Sequence, residues 1–115
     1  MSLSDIDTTV PPSGEGCADC DVAGGWWVHL RRCALCGDVR CCDTSPAQHA
    51  TAHFRATGHR YVRSFEPGEE WFWDYVAEDY VEGPRLSPPQ SRPESQPSPG
   101  PAGRVPADWR DLIHR

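Results

Sequence analysis

Lysine is absent: all 11 positions counted as lysine or arginine are arginine. With abundant alanine, glycine and proline, that bias points to a GC-rich bacterial genome. No apolar run comes near the roughly 20 residues that a membrane-spanning helix needs, so no membrane association is expected. Residues 1–10 are acidic and lack an apolar stretch, which argues against a secretory signal and for a cytoplasmic protein. Positive charge is short as well. Seventeen acidic residues against 11 basic ones leave a net charge of -6 at pH 7, which opposes a phosphate backbone and argues against nucleic acid as a partner. No internal repeat is present.

What the chain does have is concentrated in its first half. In 115 residues with 12 prolines there is material for one small folded unit, expected to be a monomer. Residues 1–16 have no periodicity and read as a disordered lead. Residues 83–106, rich in Pro, Ser, Gln and Gly, read as a linker or tail. Residues 107–115 place Trp109, Leu112 and Ile113 on one face of a possible short helix. The remaining stretch of about 65 residues is too small to fold on a hydrophobic core alone, since such a length buries only about 60% of its unfolded surface. It needs a staple.

Cysteine supplies it. All six cysteines lie between Cys17 and Cys42, and in a reducing cytosol pairs two residues apart hold metal or do redox chemistry more often than they form disulfides. Cys17-Ala-Asp-Cys20 and Cys33-Ala-Leu-Cys36 each have the tight-turn form that converges two thiolates on one ion, with Gly37 free to take a positive φ. A short strand is expected at Trp26 to Leu30. Ser45, Pro46 and Gln48 carry N-terminal helix signals, predicting a helix from about Pro46 to Thr57 that ends at Gly58. His49 and His53 share a face of that helix, and His59 follows it. Candidate ligands are therefore Cys17, Cys20, Cys33, Cys36, either Cys41 or Cys42, His49, His53 and His59, enough for two complete tetrahedral sites. Sulfur and nitrogen donors in that number suit zinc.

Catalysis is not expected. His49-Ala-Thr-Ala-His53 lacks the glutamate of the zinc-protease helix motif, and filled tetrahedral sites leave no position for an activated water. Downstream, Arg60 to Phe65 and Trp71 to Val76 read as strands around a turn at Glu66 to Glu69. Period two puts Trp71, Trp73 and Tyr75 on one face, as core or as the wall of a pocket.

The order Cys17-x-x-Cys20, Trp27, Cys33-x-x-Cys36, Cys41, His49-Ala-x-x-His53, Thr57-Gly58-His59, Trp73-Asp74-Tyr75 resembles the UBP-type zinc finger, the ubiquitin-binding module of some deubiquitinases and histone deacetylases. The resemblance covers about residues 17–82. It implies an α+β fold, a small antiparallel sheet packed with one main helix and cross-braced by two zinc ions. It also implies the ligand sets: Cys17, Cys20, Cys41 and His49 for one ion, Cys33, Cys36, His53 and His59 for the other. Ubiquitin binders of the family hold a free C-terminal tail in an aromatic pocket secured by an arginine. Trp27, Trp73 and Tyr75 match pocket positions, with Tyr80 a further candidate. Where binders have Cys-Gly-Arg, this chain has Cys41-Cys42-Asp43.

Losing a hydrogen bond to a charged group is worth about 1.5 to 3 kcal/mol, which weakens binding about ten- to a hundredfold. Ubiquitin is thus an unlikely partner. Arg40 is expected on the face opposite Cys41, and Arg63 is a candidate to reach the pocket. The Cys-Cys-Asp-x-Ser-Pro form resembles a bacterial stand-alone branch of the family. The implied function is a protein-interaction module that binds a peptide or protein tail. The alternative is a thiol-based redox or zinc-responsive switch, in which oxidation of a thiolate releases metal.

Overall fold

Tight turns punctuate the chain so often that no strand exceeds four residues, yet five such strands pair into one antiparallel sheet. In the computed structural model, which describes residues 2–114, these are β1 (Leu30–Cys33), β2 (Val39–Cys41), β3 (Tyr61–Ser64), β4 (Phe72–Asp74) and β5 (Asp79–Val81). Their order is β2-β1-β3-β4-β5. Two helices accompany them, α1 (Ala18–Ala23) and α2 (His49–Thr57), with 3-10 turns at Leu3–Asp5 and Trp109–Asp111. The expected α+β class, an antiparallel sheet with one main helix, is what forms. No helix among the described residues is long and apolar enough to cross a membrane.

Pairing register and the two-residue period divide the sheet into two faces. Leu30, Arg32, Val39, Cys41, Tyr61, Arg63 and Phe72 share the first. Arg31, Cys33, Arg40, Val62, Ser64, Trp73 and Tyr80 share the second. Two apolar clusters form the core. Trp27, Leu30, Val39 and Phe65 bury themselves with Cys17, Cys20 and Cys41. Ile6, Ala34, Tyr61, Phe72 and Leu86 make the other. α2 lies over β1 and β2 and reaches across to stack Phe54 on Tyr75, ring centroids 4.8 Å apart.

Several elements depart from the sequence reading for identifiable reasons. α2 begins at His49, not Pro46, because Ser45 does not cap it: the hydroxyl is fully buried and accepts the Val28 N–H at 2.9 Å. Gln48 instead turns through a left-handed conformation (φ 54), and the His49 N–H donates to Cys41 Sγ at 3.2 Å. Gly58 does end the helix as expected, at φ 76. The first strand starts at Leu30, later than expected, since Trp27 pairs with Gly100 from the far end of the chain. β5 was not anticipated; its three residues carry no apolar alternation.

Residues 2–16 and 83–106, read as disordered lead and linker, are placed against the domain. Ile6 is 8% exposed and Leu86 2%. Arginines hold the rest. Arg32 donates to the carbonyls of Val10 (2.7 Å), Ser87 (2.7 Å) and Pro89 (3.2 Å). Arg63 donates to Gln90 O (2.7 Å), and Arg92 to Pro93 O (3.2 Å) and Gln96 O (2.6 Å). A proline-rich chain offers carbonyls but few N–H groups, and guanidinium donors supply what a strand partner would have supplied. Arg92 also grips the buried Glu66 carboxylate, with Nε to Oε2 at 2.9 Å and Nη2 to Oε1 at 3.2 Å. Residues 109–111 form a 3-10 turn in place of the expected short helix. There His114 N–H donates to Thr44 O at 3.0 Å. Arg115, the last residue of that stretch, lies outside the described residues.

Candidate functional site: two metal centres and an aromatic cleft

Eight cysteine and histidine side chains converge as two tetrads, Cys17, Cys20, Cys41 and His49, and Cys33, Cys36, His53 and His59; within each, the donor atoms all lie within 4.8 Å of one another. Local structure explains the convergence. Cys17 caps α1 by accepting the Cys20 N–H at 3.4 Å, so one turn brings both sulfurs together. Cys41 ends β2, and the first turn of α2 brings His49 over it. Cys33 ends β1. The chain then reverses through Gly37, whose φ of 81 suits glycine alone: an added Cβ would stand 2.2 Å from Pro11 O. One helical turn beyond His49, His53 faces Cys36, and His59 follows just after the Gly58 cap.

Zinc fits these spacings. Bonds of about 2.3 Å to sulfur and 2.0–2.1 Å to nitrogen at tetrahedral angles separate sulfur from nitrogen by about 3.5 Å and two sulfurs by about 3.8 Å. In the first tetrad His49 Nδ1 lies 3.4, 3.3 and 3.5 Å from the sulfurs of Cys17, Cys20 and Cys41, and Cys20 and Cys41 are 3.8 Å apart. In the second, Cys36 Sγ to His53 Nε2 is 3.3 Å and Cys33 Sγ to His59 Nδ1 is 3.6 Å. Hydrogen bonds among the thiols hold Cys17 well below the usual thiol range and push Cys20 and Cys41 above it, and burial pushes Cys33 up to about 12. Outside the second tetrad, Asp38 approaches His53 Nδ1 at 3.7 Å and takes Arg40 Nη2 at 3.1 Å, the position of a group that orients a ligating imidazole.

Cys42 is in neither tetrad. It is 4% exposed, with Sγ 3.5 Å from Ser45 Oγ, and lies against the base of a concavity of about 220 Å³. Trp71, Trp73, Tyr75 and Tyr80 wall that cleft, with Arg31, Asp43, Thr44 and Val62 completing it. The rings brace one another: Tyr80 meets Trp73 at 5.0 Å and Trp71 at 5.5 Å, both edge to face. Burial pushes the Tyr75 hydroxyl up to about 12, with the Asp43 charge adding to it and a hydrogen bond from Thr51 opposing it.

Trp27 does not line the cleft, contrary to its assignment from the sequence. It is 2% exposed, bridged through its backbone to Gly100 (2.8 and 2.9 Å), and packed so closely on Gly16 that an added Cβ there would lie 2.6 Å from the ring. Its ring serves the core beside the first tetrad. Nor does Arg63 reach the cleft; it sits on the first face, bonded to Gln90 O. Arg40 is tied to Asp19 and Asp38.

Arg31 is the cation in the cleft, its guanidinium 4.6 Å from the centroid of the Trp71 ring and donating to Leu30 O at 3.0 Å. Sequence reasoning missed it because the strand was ended at Leu30. The signal lay in the period-two relation between Arg31 and Cys33. Asp43 stands across the cleft as the opposite charge, its carboxylate accepting the Thr51 hydroxyl and its carbonyl accepting Gln48 Nε2 at 2.9 Å.

Comparisons with known proteins agree with this geometry. A family described as the Zn-finger in ubiquitin-hydrolases and other protein matches residues 17–86. Among solved structures, the chain is similar to the solution NMR structure of protein RPA1320 from Rhodopseudomonas palustris. The two are 44% identical, the match covers 81% of this chain and 92% of that one, and the TM-score is 0.69. No curated protein matches.

Proposed function

This chain belongs to the zinc-finger family of ubiquitin hydrolases and other proteins, and on that premise we propose that it is a protein-interaction module holding a peptide or protein tail in its aromatic cleft. One observation carries the reading. Trp71, Trp73 and Tyr75 are only half-buried and Tyr80 is 62% exposed, so these rings line an open concavity when the core already has its own aromatics in Trp27, Phe65 and Phe72. Large, rigid side chains in a cleft are the usual anchors of protein recognition.

Zinc, when bound, supplies cross-links that fix the scaffold around the cleft. Its apparent binding free energy, about 10–16 kcal/mol per structural ion, is folding energy. With four protein donors in each tetrad, neither centre keeps a place for a reacting water, so the module is read as non-catalytic. The bacterial cytoplasm is the proposed setting, since it keeps these thiols reduced. Ubiquitin is proposed to bind weakly or not at all, because Asp43 presents a carboxylate where the family's binders carry an arginine.

A thiol-based switch is the second reading, favoured by one feature: Cys36 is half-exposed whereas the other four ligating thiols are buried. An oxidant would reach the second centre first. Zinc release at low peroxide would support this reading, and retention of both ions in excess peroxide would end it.

The main reading is tested by nuclear magnetic resonance titration of the zinc-loaded protein with ubiquitin and, separately, with random-sequence peptides. Perturbation of the Trp71, Trp73 and Tyr80 resonances by peptide, with little response to ubiquitin, is expected. Tight, tail-dependent ubiquitin binding would overturn the assignment of Asp43, and peptides that leave those resonances unmoved would overturn the cleft as a binding site.

A further inference from the structure

Beyond the ridge formed by Trp71 and Tyr80 lies a second groove, of about 420 Å³, and those two residues wall both concavities. Phe72 and Val81 give the second groove its apolar lining, and Glu70 and Glu82 give it charge. Both glutamates are exposed, and neither takes part in an ion pair among the described residues. An extended segment lying in the cleft and leaving it past Tyr80 would enter this groove. There it would meet aromatic faces flanked by two carboxylates, a setting that favours a cation through ring quadrupole and Coulomb attraction together.

Resting on the proposed reading of the cleft, we infer that the segment this module holds is basic, with a lysine or arginine side chain seated on the Trp71–Tyr80 ridge between Glu70 and Glu82. Charge inside the first cleft points the same way, because Asp43 offers an acceptor to a cationic or N–H-rich ligand while Arg31 is occupied in part by Leu30 O and the Trp71 ring. The two glutamates are not equal. Glu70 also borders a cavity with Arg63 and Arg85 on the other side of Phe72, so its field is partly offset, whereas Glu82 has no arginine beside it in the groove. Glu82 is therefore the stronger determinant.

The test uses zinc-loaded full-length protein and a synthetic array of random-sequence peptides, each binder then remade with its basic residue as Arg, Gln or Glu. The best binders are expected to be basic. Replacing that residue by Gln should weaken binding about tenfold at low salt, by the size of an exposed ion pair plus a cation–π contact, and higher salt should narrow the gap. Glu82→Gln should remove most of the discrimination and Glu70→Gln less of it, with unchanged near-UV circular dichroism in both. Neutral or acidic best binders, or discrimination that survives Glu82→Gln, would overturn the inference. Binding lost in Trp73→Ala would then still uphold the cleft. Failure of every peptide to bind would overturn both.

Discussion

Two regions of this molecule are held in unrelated ways. From Cys17 to His59 the chain is pinned by eight side chains on two points in space; from residue 83 to residue 106 it is clasped by Arg32, Arg63 and Arg92, which satisfy the carbonyls of a backbone with few N–H groups to offer. The first arrangement needs ligands at fixed spacings. The second needs only that a guanidinium, with five donors on a long stem, be within reach. A metal tetrad therefore leaves a signature in the local sequence, and an arginine clasp leaves none. The clasp is also the more polar device: burying Arg32 holds its guanidinium below its ordinary range, with the charge of Arg63 adding to the effect.

Stripping the metal is the most direct way to break the comparison. A strong chelator should collapse the pinned half and with it the whole fold, because about 10–16 kcal/mol per ion matches or exceeds the 5–15 kcal/mol by which whole domains are stable. Loss of near-UV circular dichroism together with zinc release is the expected outcome, and a metal-free sample with an unchanged spectrum would contradict it. Next in size is Arg92→Ala, which leaves the buried Glu66 with only the His29 ring and the Leu30 N–H. Removing one partner of a buried pair costs about 3–5 kcal/mol. Denaturant melts should show that loss while elemental analysis still finds both zinc ions; loss of zinc in this variant would mean the two regions are not separate.

With zinc retained, titration of the Glu66 carboxyl gives the smallest effect. Burial opposes ionisation of Glu66, but hydrogen bonds from His29 and Arg92 outweigh it and hold the carboxyl below its ordinary range. A depressed carboxyl contributes its full stability above the unfolded value and loses it as pH falls through the folded one. Stability should thus drop below about pH 4.5, and less steeply in Glu66→Gln at matched zinc occupancy.

Much of the pinned half could be read directly from the sequence. Paired cysteines, histidines one helical turn apart and a glycine at the helix end are local constraints, and they found α2, its end and the α+β class. Local signals failed where a distant partner intervened. Ser45 has every mark of a helix cap but spends its hydroxyl on Val28 N–H, 17 residues away in the chain. Trp27 has the position of a cleft residue in the family pattern, yet Gly16 and Gly100 close over it. Arg31 escaped notice because a strand boundary three residues off reverses no side chain but removes this one from the strand. Composition speaks to only part of what holds residues 83–106. Few apolar residues do imply little burial, and Leu86 alone is deeply buried there as an apolar side chain, but composition cannot count donors arriving from elsewhere.

α2 has nine residues, and it delivers His49 to one centre and His53 to the other. Emptying either centre frees an end of the same rigid rod, so the remaining ion loses a well-placed imidazole. Half-loaded molecules should consequently be scarce, and zinc uptake should follow a single steep isotherm in place of two resolved steps.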